Sequence, residues 1–323
     1  MFKIPNKFLI FLGIYYSSIY GSAQDCPEFV GLGGSCVCSK CFPPLQCSTN
    51  KICSQAKCDS NQWANLPWSP SCEDDGSYSP KQCKGEDATG RCFCYNQDGK
   101  RIFGWSWLKD AENMTCACSR RREELAATRP DLSLHCSENG NYESLQCDNG
   151  LCWCANPKTG QPVERIFPES MMRYLSCYDG DDVGSKYWRQ CESKKIARQK
   201  ILVKLRAHGR VFSFIDEALC DGDGSFASYR VDRKTVFCTW KDSSRLENYQ
   251  TPIGSVRNMN CNCARDTRIF NDEGLENLLT CETNGNYEAL QFSNGRPFCV
   301  DSDGYAITSL GGWGDASCPV ISR

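Results

Sequence analysis

Gln146-Cys147-Asp148-Asn149-Gly150-Leu151-Cys152-Trp153-Cys154 is the stretch on which the fold turns. Cys147 and Cys152 bracket an Asn-Gly pair, and Cys154 follows after a single aromatic residue. Asn-Gly between short extended runs reads as a tight hairpin turn. Outward from this core, Cys118 and Cys136 lie ahead and Cys177 lies behind. The same six-cysteine register occurs at Cys58, Cys72, Cys83, Cys92, Cys94 and Cys116, with Gln82 and Phe93 in the places of Gln146 and Trp153. A third copy keeps Cys191, Cys220, Cys238 and Cys261, and a fourth keeps Cys263, Cys281, Cys299 and Cys318. A register that recurs along a chain marks tandem modules.

The reduced copies suggest how the cysteines pair. Aligned on the full register, the fourth copy places Phe292 and Pro297 opposite Cys147 and Cys152, and the third places Val231 and Val236 there. Both middle cysteines are lost together, twice. A leftover thiol is reactive in an oxidising compartment, so bonded partners are lost as a pair. The expected bonds are therefore Cys147–Cys152 and Cys83–Cys92, with the rest in sequence: Cys118–Cys136, Cys154–Cys177, Cys58–Cys72, Cys94–Cys116, Cys191–Cys220, Cys238–Cys261, Cys263–Cys281 and Cys299–Cys318. Cys26, Cys36, Cys38, Cys41, Cys47 and Cys53 remain, and their connectivity is not deducible from sequence.

Residues 1–23 read as a secretory signal: Lys3 and Lys7, an apolar run from Phe8 to Tyr16, and small residues Gly21-Ser22-Ala23 at the cleavage site. The expected location is extracellular, where disulfides persist. A net charge of −2 argues against general nucleic-acid binding. No later segment is apolar enough to span a membrane.

The expected organisation is a cysteine-rich head at 24–57, repeats at 58–116 and 118–177, a Gly/Asp/Ser linker at 178–190, and reduced repeats at 191–261 and 263–318. One residue, Ala117 or Asn262, joins the members of each pair, which suggests two rigid doublets about a hinge. The fold class is small and disulfide-rich, each module a short helix plus a small antiparallel hairpin or sheet. Such a unit of about 60 residues buries little core and depends on staples. Within a repeat, a helix such as Arg120–Thr128 halts near Pro130. A turn and a strand follow, as at Asn139 to Cys147. The aromatic at Phe93, Trp153, Phe237 or Phe298 is expected to plug the core against the disulfides.

With Asn139-Gly140-Asn141-Tyr142 ahead of it and Gly160 behind, the Gln146-Cys147 and Cys152-Trp153-Cys154 pattern resembles the thyroglobulin type-1 family at residues 118–177. Residues 58–116 resemble it well, and 191–261 and 263–318 in part. The head is only loosely similar to the cysteine-rich heads of growth-factor-binding proteins. The resemblance implies six cysteines paired in order. It also implies several functional options: some members inhibit papain-like cysteine proteases by a wedge of three loops that enters the active-site cleft, others inhibit aspartic proteases, and many inhibit nothing.

Loops pinned at their roots lose little entropy on binding. In the second repeat the candidate wedge comprises Arg129, Pro130 and Leu132 in a first loop, Asn149 and Gly150 in a second, and Glu164 and Arg165 in a third. Counterparts in the first repeat are the loop with Pro67 and Trp68, the segment from Lys84 to Arg91, and Arg101 to Trp105. The expected function is reversible inhibition of a papain-like cysteine protease. The alternative is a non-inhibitory extracellular binding protein that carries a growth factor or matrix ligand.

Catalysis has little support, with only His135 and His208 available as bases and the cysteines expected to be bonded. Neither cofactor nor metal is expected: zinc needs free thiolates, and Asp221-Gly222-Asp223-Gly224 lacks the later Glu of a calcium loop and reads as a turn. Asn113-Met114-Thr115 is a glycosylation sequon. Residues 194–206 form a basic helix with Lys194, Lys195, Arg198, Lys200, Lys204 and Arg206, and with Ile196, Val203 and Leu205 as its apolar face. It is a solvated helix face or a contact for a polyanion.

Overall fold

The computed structural model describes residues 58, 69–85, 89–129, 131–180, 187–211, 218–275, 278–293, 295–308 and 318, plus four short strands nearer the start. The chain divides into two compact units, Met1–Ala56 with Asp74–Gly76 and Lys57–Glu73 with Ser77–Arg323. In the first, β1 (Phe29–Val30) pairs in parallel with β2 (Lys40–Cys41), and β3 (Leu45–Cys47) runs antiparallel to β4 (Cys53–Gln55). The second holds the four repeats apart from Asp74–Gly76 of repeat 1.

Each repeat is built on the hairpin that the cysteine register implies. In repeat 1, β5 (Lys81–Lys84), β6 (Arg91–Tyr95) and β7 (Arg101–Trp107) form one antiparallel sheet. Repeat 2 begins with α1 (Ala117–Ala126) and continues through β8 (Leu145–Asp148), β9 (Leu151–Cys154) and β10 (Phe167–Pro168). Repeat 3 has α2 (Gln190–Ala207), then β11 (Tyr229–Asp232), β12 (Thr235–Thr239) and β13 (Arg245–Pro252). Repeat 4 has α3 (Asn262–Asp272) and the hairpin of β14 (Leu290–Ser293) and β15 (Arg296–Cys299). Ten disulfides join the cysteines of the repeats in sequence order, Cys83–Cys92 and Cys147–Cys152 among them. Val231 faces Val236 and Phe292 faces Pro297 in the register where Cys147 faces Cys152.

The glutamine before the hairpin cysteine has a structural task. The buried Gln146 carboxamide accepts from His135 N (3.0 Å) and donates to His135 O (2.7 Å) and Glu143 O (2.9 Å). Gln82 and Gln291 repeat this at Ser71 and Thr280. Each side chain thus supplies the hydrogen bonds of a missing strand, tying the first loop to the sheet. Gly160 also has a steric cause: a Cβ there would lie 2.6 Å from the Tyr142 ring. The aromatic between the paired cysteines varies. Phe93 is buried, but Trp153, Phe237 and Phe298 are half-buried, so the expected core plug holds only in repeat 1. Trp153 instead covers the edge of its cluster and donates its indole N–H to Gly160 O (3.1 Å).

The repeats close into a cycle, which replaces the expected pair of hinged doublets. Repeats 1 and 2 are clasped by Trp105 N to Glu138 O (2.8 Å), Thr115 N to the Asn141 side chain (2.8 Å), and Arg120 to the carbonyls of Tyr78 and Tyr95. Repeats 3 and 4 use the same clasp: Gln250 N to Thr283 O (2.8 Å), Asn260 N to the Asn286 side chain (2.8 Å), and Arg265 to the carbonyls of Thr239 and Phe226. Repeat 2 meets repeat 3 through His135 Nε2 against Glu192 (2.7 Å), Arg189 with Glu143 (2.9 Å) and Lys241 with Glu138 (3.0 Å). Tyr187, within the supposed linker, is buried and stacks on the His135 ring at 4.2 Å. Residues 181–186 lie outside the described residues.

Repeat 4 then returns to repeat 1. Asp266 of α3, fully buried, accepts two hydrogen bonds from Arg101 (2.7 and 2.8 Å) and pairs with Arg91 at 3.3 Å. Arg101 lies 3.9 Å from the Phe93 ring and Arg91 4.1 Å from Phe270. Burial opposes ionisation of Asp266, but Arg101, Arg91 and the Tyr287 hydroxyl outweigh it and hold the carboxyl well below the usual range. Beside them, Lys84 donates to Gly304 O. Burial, with Arg101 next to it, pulls the Lys84 ammonium down to about 7.

Candidate functional site

The end of repeat 2 that carries the β8–β9 turn is the candidate contact surface. Asn149 (φ 51°) and Gly150 (φ 76°) both occupy the left-handed region that a two-residue turn of this kind requires. Both are exposed, and a Cβ on Gly150 would meet nothing within 4 Å. The turn is therefore constrained by its backbone angles and not by crowding at Gly150. The roots of the turn are joined by Cys147–Cys152.

The first loop is drawn onto the second. Arg129 donates to both oxygens of Asp148 (3.0 and 3.1 Å) and to Asp131 (3.2 Å), and Ser133 Oγ donates to Cys147 O (2.6 Å). Hydrogen bonds to Asp131 and Asp148 push the Arg129 pKa up, and the bond from Arg129 pulls the Asp131 carboxyl down. Leu132 packs against the cluster of Cys118, Leu134 and Tyr142, so it anchors the loop rather than forming its tip. Pro130 lies outside the described residues.

The third loop is not beside the turn. Phe167 faces Cys152 and Pro168 faces Leu151, and Glu169 N donates to Gly150 O (2.8 Å). The segment flanking the turn is thus Pro168–Glu169. Glu164 and Arg165 fall at the far end of β9, near Cys154, whose backbone oxygen accepts from Val163 N. Glu164 is held there by the Ser176 N–H and hydroxyl (both 2.9 Å). Its carboxylate also lies by Cys154 and Cys177, but both sulfurs are spent in their disulfide and offer no thiolate to a metal.

The flank of the turn is apolar and uncovered. Leu151 (48%), Ile166 (51%), Met171 (40%) and Tyr174 (61%) are exposed on β9, on the approach to β10, and on the 3-10 helix Glu169–Tyr174 that follows. Leu151 and Ile166 fall in the second and third candidate loops read from the sequence, whereas Met171 and Tyr174 were not singled out there; the exposure of all four depends on the β9–β10 register, which no local motif encodes.

Repeat 1 differs at the equivalent surface. Lys84 and Arg91 stand where Asp148 and Leu151 stand in repeat 2. Both are engaged by repeat 4, and Trp107 meets Phe270 edge-to-face at 5.6 Å. The flanks of this hairpin thus serve the closure of the cycle. Pro67 and Trp68 lie outside the described residues, as do 86–88.

Other expected residues are placed as follows. Asn113 is exposed and its side-chain oxygen accepts from Lys158 (3.0 Å), while the Thr115 hydroxyl donates to Asn141 (2.6 Å). Asp221 pairs with Arg265, and Asp223 lies 3.6 Å from Lys241, so both are tied into salt bridges. In α2, Ile196 and Leu205 are half-buried but Val203 is 60% exposed, so the three do not share one covered face. No helix among the described residues is long and apolar enough to cross a membrane.

Comparison with known proteins agrees with this anatomy. The thyroglobulin type-1 repeat family matches residues 48–116 and 118–168. Equistatin of Actinia equina is 25% identical over 211 residues, covering 60% of this chain and 79% of that protein. Thyroglobulin of Sus scrofa is 30% identical over 178 residues, or 54% of this chain, which spans only 6% of that much longer protein. U20-hexatoxin-Hi1a of Hadronyche infensa is 27% identical over 100 residues, covering 29% of this chain and 64% of the toxin.

Proposed function

Since the chain carries thyroglobulin type-1 repeats, we propose that it is a secreted, non-enzymatic, reversible inhibitor of papain-like cysteine proteases that acts through repeat 2. One observation carries this reading. The Asp148–Leu151 turn is exposed, closed at its roots by Cys147–Cys152, and braced on one side by Arg129 and on the other by Glu169. A turn held on three sides is ordered before it binds, so little entropy is lost on entering a cleft. The same bracing resists the distortion that cleavage of a substrate loop needs. Repeats 3 and 4 hold their turns by Val231 against Val236 and Phe292 against Pro297, without a covalent bond. Repeat 1 keeps the bond, but repeat 4 lies along its flanks.

A carrier function is the second reading. A cleft of about 490 Å³ lies among the four repeats, lined by Trp105, Glu138, Trp240 and Asp303 among others. Its size falls within the range of small-molecule sites. The two readings separate in one experiment. The full chain and its Asn149→Trp variant are assayed against a papain-like and an aspartic protease, and their melting temperatures are compared. Inhibition reads as a raised inhibition constant for the variant, with a loss of folding stability of only about 1 kcal/mol for a bulky residue in the left-handed region. Equal inhibition by both proteins removes the turn from the contact. Absence of inhibition in the wild type leaves the carrier reading.

A further inference from the structure

Helix α2 concentrates the positive charge of the chain. Ser193 to Val211 holds Lys194, Lys195, Arg198, Lys200, Lys204, Arg206 and Arg210, with no Asp or Glu among them. The whole chain has a net charge of −2, so without these seven cations the remainder carries −9. One cationic element on an otherwise anionic protein is an electrostatic footprint.

The helix is fastened at one end. Cys191 is bonded to Cys220, and Glu192, the only acid of the helix, is taken up by His135 and by the Arg189 backbone N–H (3.2 Å). Cys191 and Glu192 are its only buried residues. Beyond them Lys200, Lys204 and Arg206 are exposed, and their side chains make no hydrogen bond or ion pair among the described residues. With 18 residues, the helix extends for about 27 Å at roughly 1.5 Å per residue.

We propose that α2 is a binding site for a sulfated polysaccharide. A linear polyanion of closely spaced sulfates can follow a rod with cations over most of its circumference, and release of its condensed counterions drives the association. A lipid surface fits less well. The exposed apolar residues Ile201 and Val203 are two positions apart, which puts them about 200° apart around the helix at roughly 100° per residue. An interfacial helix needs its apolar residues on one face. Single-stranded nucleic acid fits less well too, because Gln190–Ala207 contains no aromatic side chain on which a base could stack. This inference stands independently of protease inhibition.

The test uses the full chain on immobilised heparin, with the Lys200→Gln/Lys204→Gln/Arg206→Gln variant beside it. Glutamine keeps nearly the helix propensity of the residues replaced, and the three side chains have no partners to lose among the described residues, so the melting temperature should not change. The wild type is expected to bind at physiological salt. Its log affinity for a heparin fragment should fall linearly with log salt, and the variant's slope should be shallower by about three. Flow-through of the wild type at low salt overturns the proposal. So does co-elution of wild type and variant. Tighter binding to phosphatidylserine vesicles or to single-stranded DNA than to heparin overturns it in favour of those ligands.

Discussion

Asp266→Asn probes the junction on which the cycle of repeats depends. Among the described residues Asp266 is the one acidic side chain paired with Arg91 and Arg101, whose side chains are 3% and 10% exposed. The substitution keeps the shape and removes the charge, leaving two guanidiniums enclosed by Phe93, Phe270 and Trp107 without a counter-charge. Breaking a buried pair in this way costs about 3–5 kcal/mol. Denaturant unfolding of wild type and variant gives the loss directly. Amine labelling at Lys84 gives its location, because the ammonium that donates to Gly304 O should react faster once repeat 4 moves off. Replacing all three charges together, by Arg91→Met, Arg101→Met and Asp266→Leu, should cost far less than the single change, since no buried charge is then stranded. The depressed pKa adds a pH signature. The contribution of Asp266 should be complete above about pH 4. It should be lost only as pH falls through the folded value, well below the usual carboxylate range. A loss under about 1 kcal/mol, with Lys84 still protected, would refute the assignment of this junction to the buried charge.

Three further outcomes follow from the same geometry. Cys147→Ser with Cys152→Ser should fold but lose about 2 kcal/mol, the loop-entropy value for so short a loop; non-reducing peptide mapping of the wild type should recover the two residues as one linked pair, and any other partner for Cys147 refutes the assignment. Gln146→Leu should cost at least about 2 kcal/mol by denaturant unfolding, because it strands His135 N and Glu143 O and leaves His135 O with the Glu143 N–H as its remaining partner; a loss below that speaks against the bridging role. Lys84 has a folded pKa of about 7 against an ordinary 10.5, so the unfolded chain binds more protons between those values. Stability should therefore rise with pH across that window, and Lys84→Met should flatten the rise; an equal slope in both proteins removes Lys84 as its source.

The hairpin register was legible because its cysteines vanish in pairs. Val231 with Val236 and Phe292 with Pro297 occupy the positions of bonded cysteines, and the strand pairing places them face to face. The closure of the cycle was not legible. Asp266 lies on α3 among Arg265, Arg268 and Asp272, a pattern that reads as a charged surface helix, and its partner Arg101 is 165 residues away. The clasps between repeats were partly visible in the repeated Asn-Gly-Asn turns, yet nothing local says that Asn141 and Asn286 reach back into the preceding repeat. At the candidate site, the turn at Asn149-Gly150 followed from residue type alone. The displacement of Glu164 and Arg165 did not, because it depends on Phe167 rather than a nearer residue facing Cys152. Gln146 was conspicuous in the sequence without its role being evident, since a side chain that stands in for a strand is recognised only by its partners.

Titration of a papain-like cysteine protease of known active concentration with the full chain tests the central claim most directly. Repeat 2 alone presents a covalently closed turn with open flanks among the described residues, while repeat 1 is flanked by repeat 4. The account predicts that activity falls to zero at one protease per chain, returns on dilution, and leaves the inhibitor uncut between Asp148 and Leu151. Unchanged protease activity, or cleavage within that turn, contradicts inhibition through repeat 2, and an end point of two proteases per chain contradicts the coverage of repeat 1.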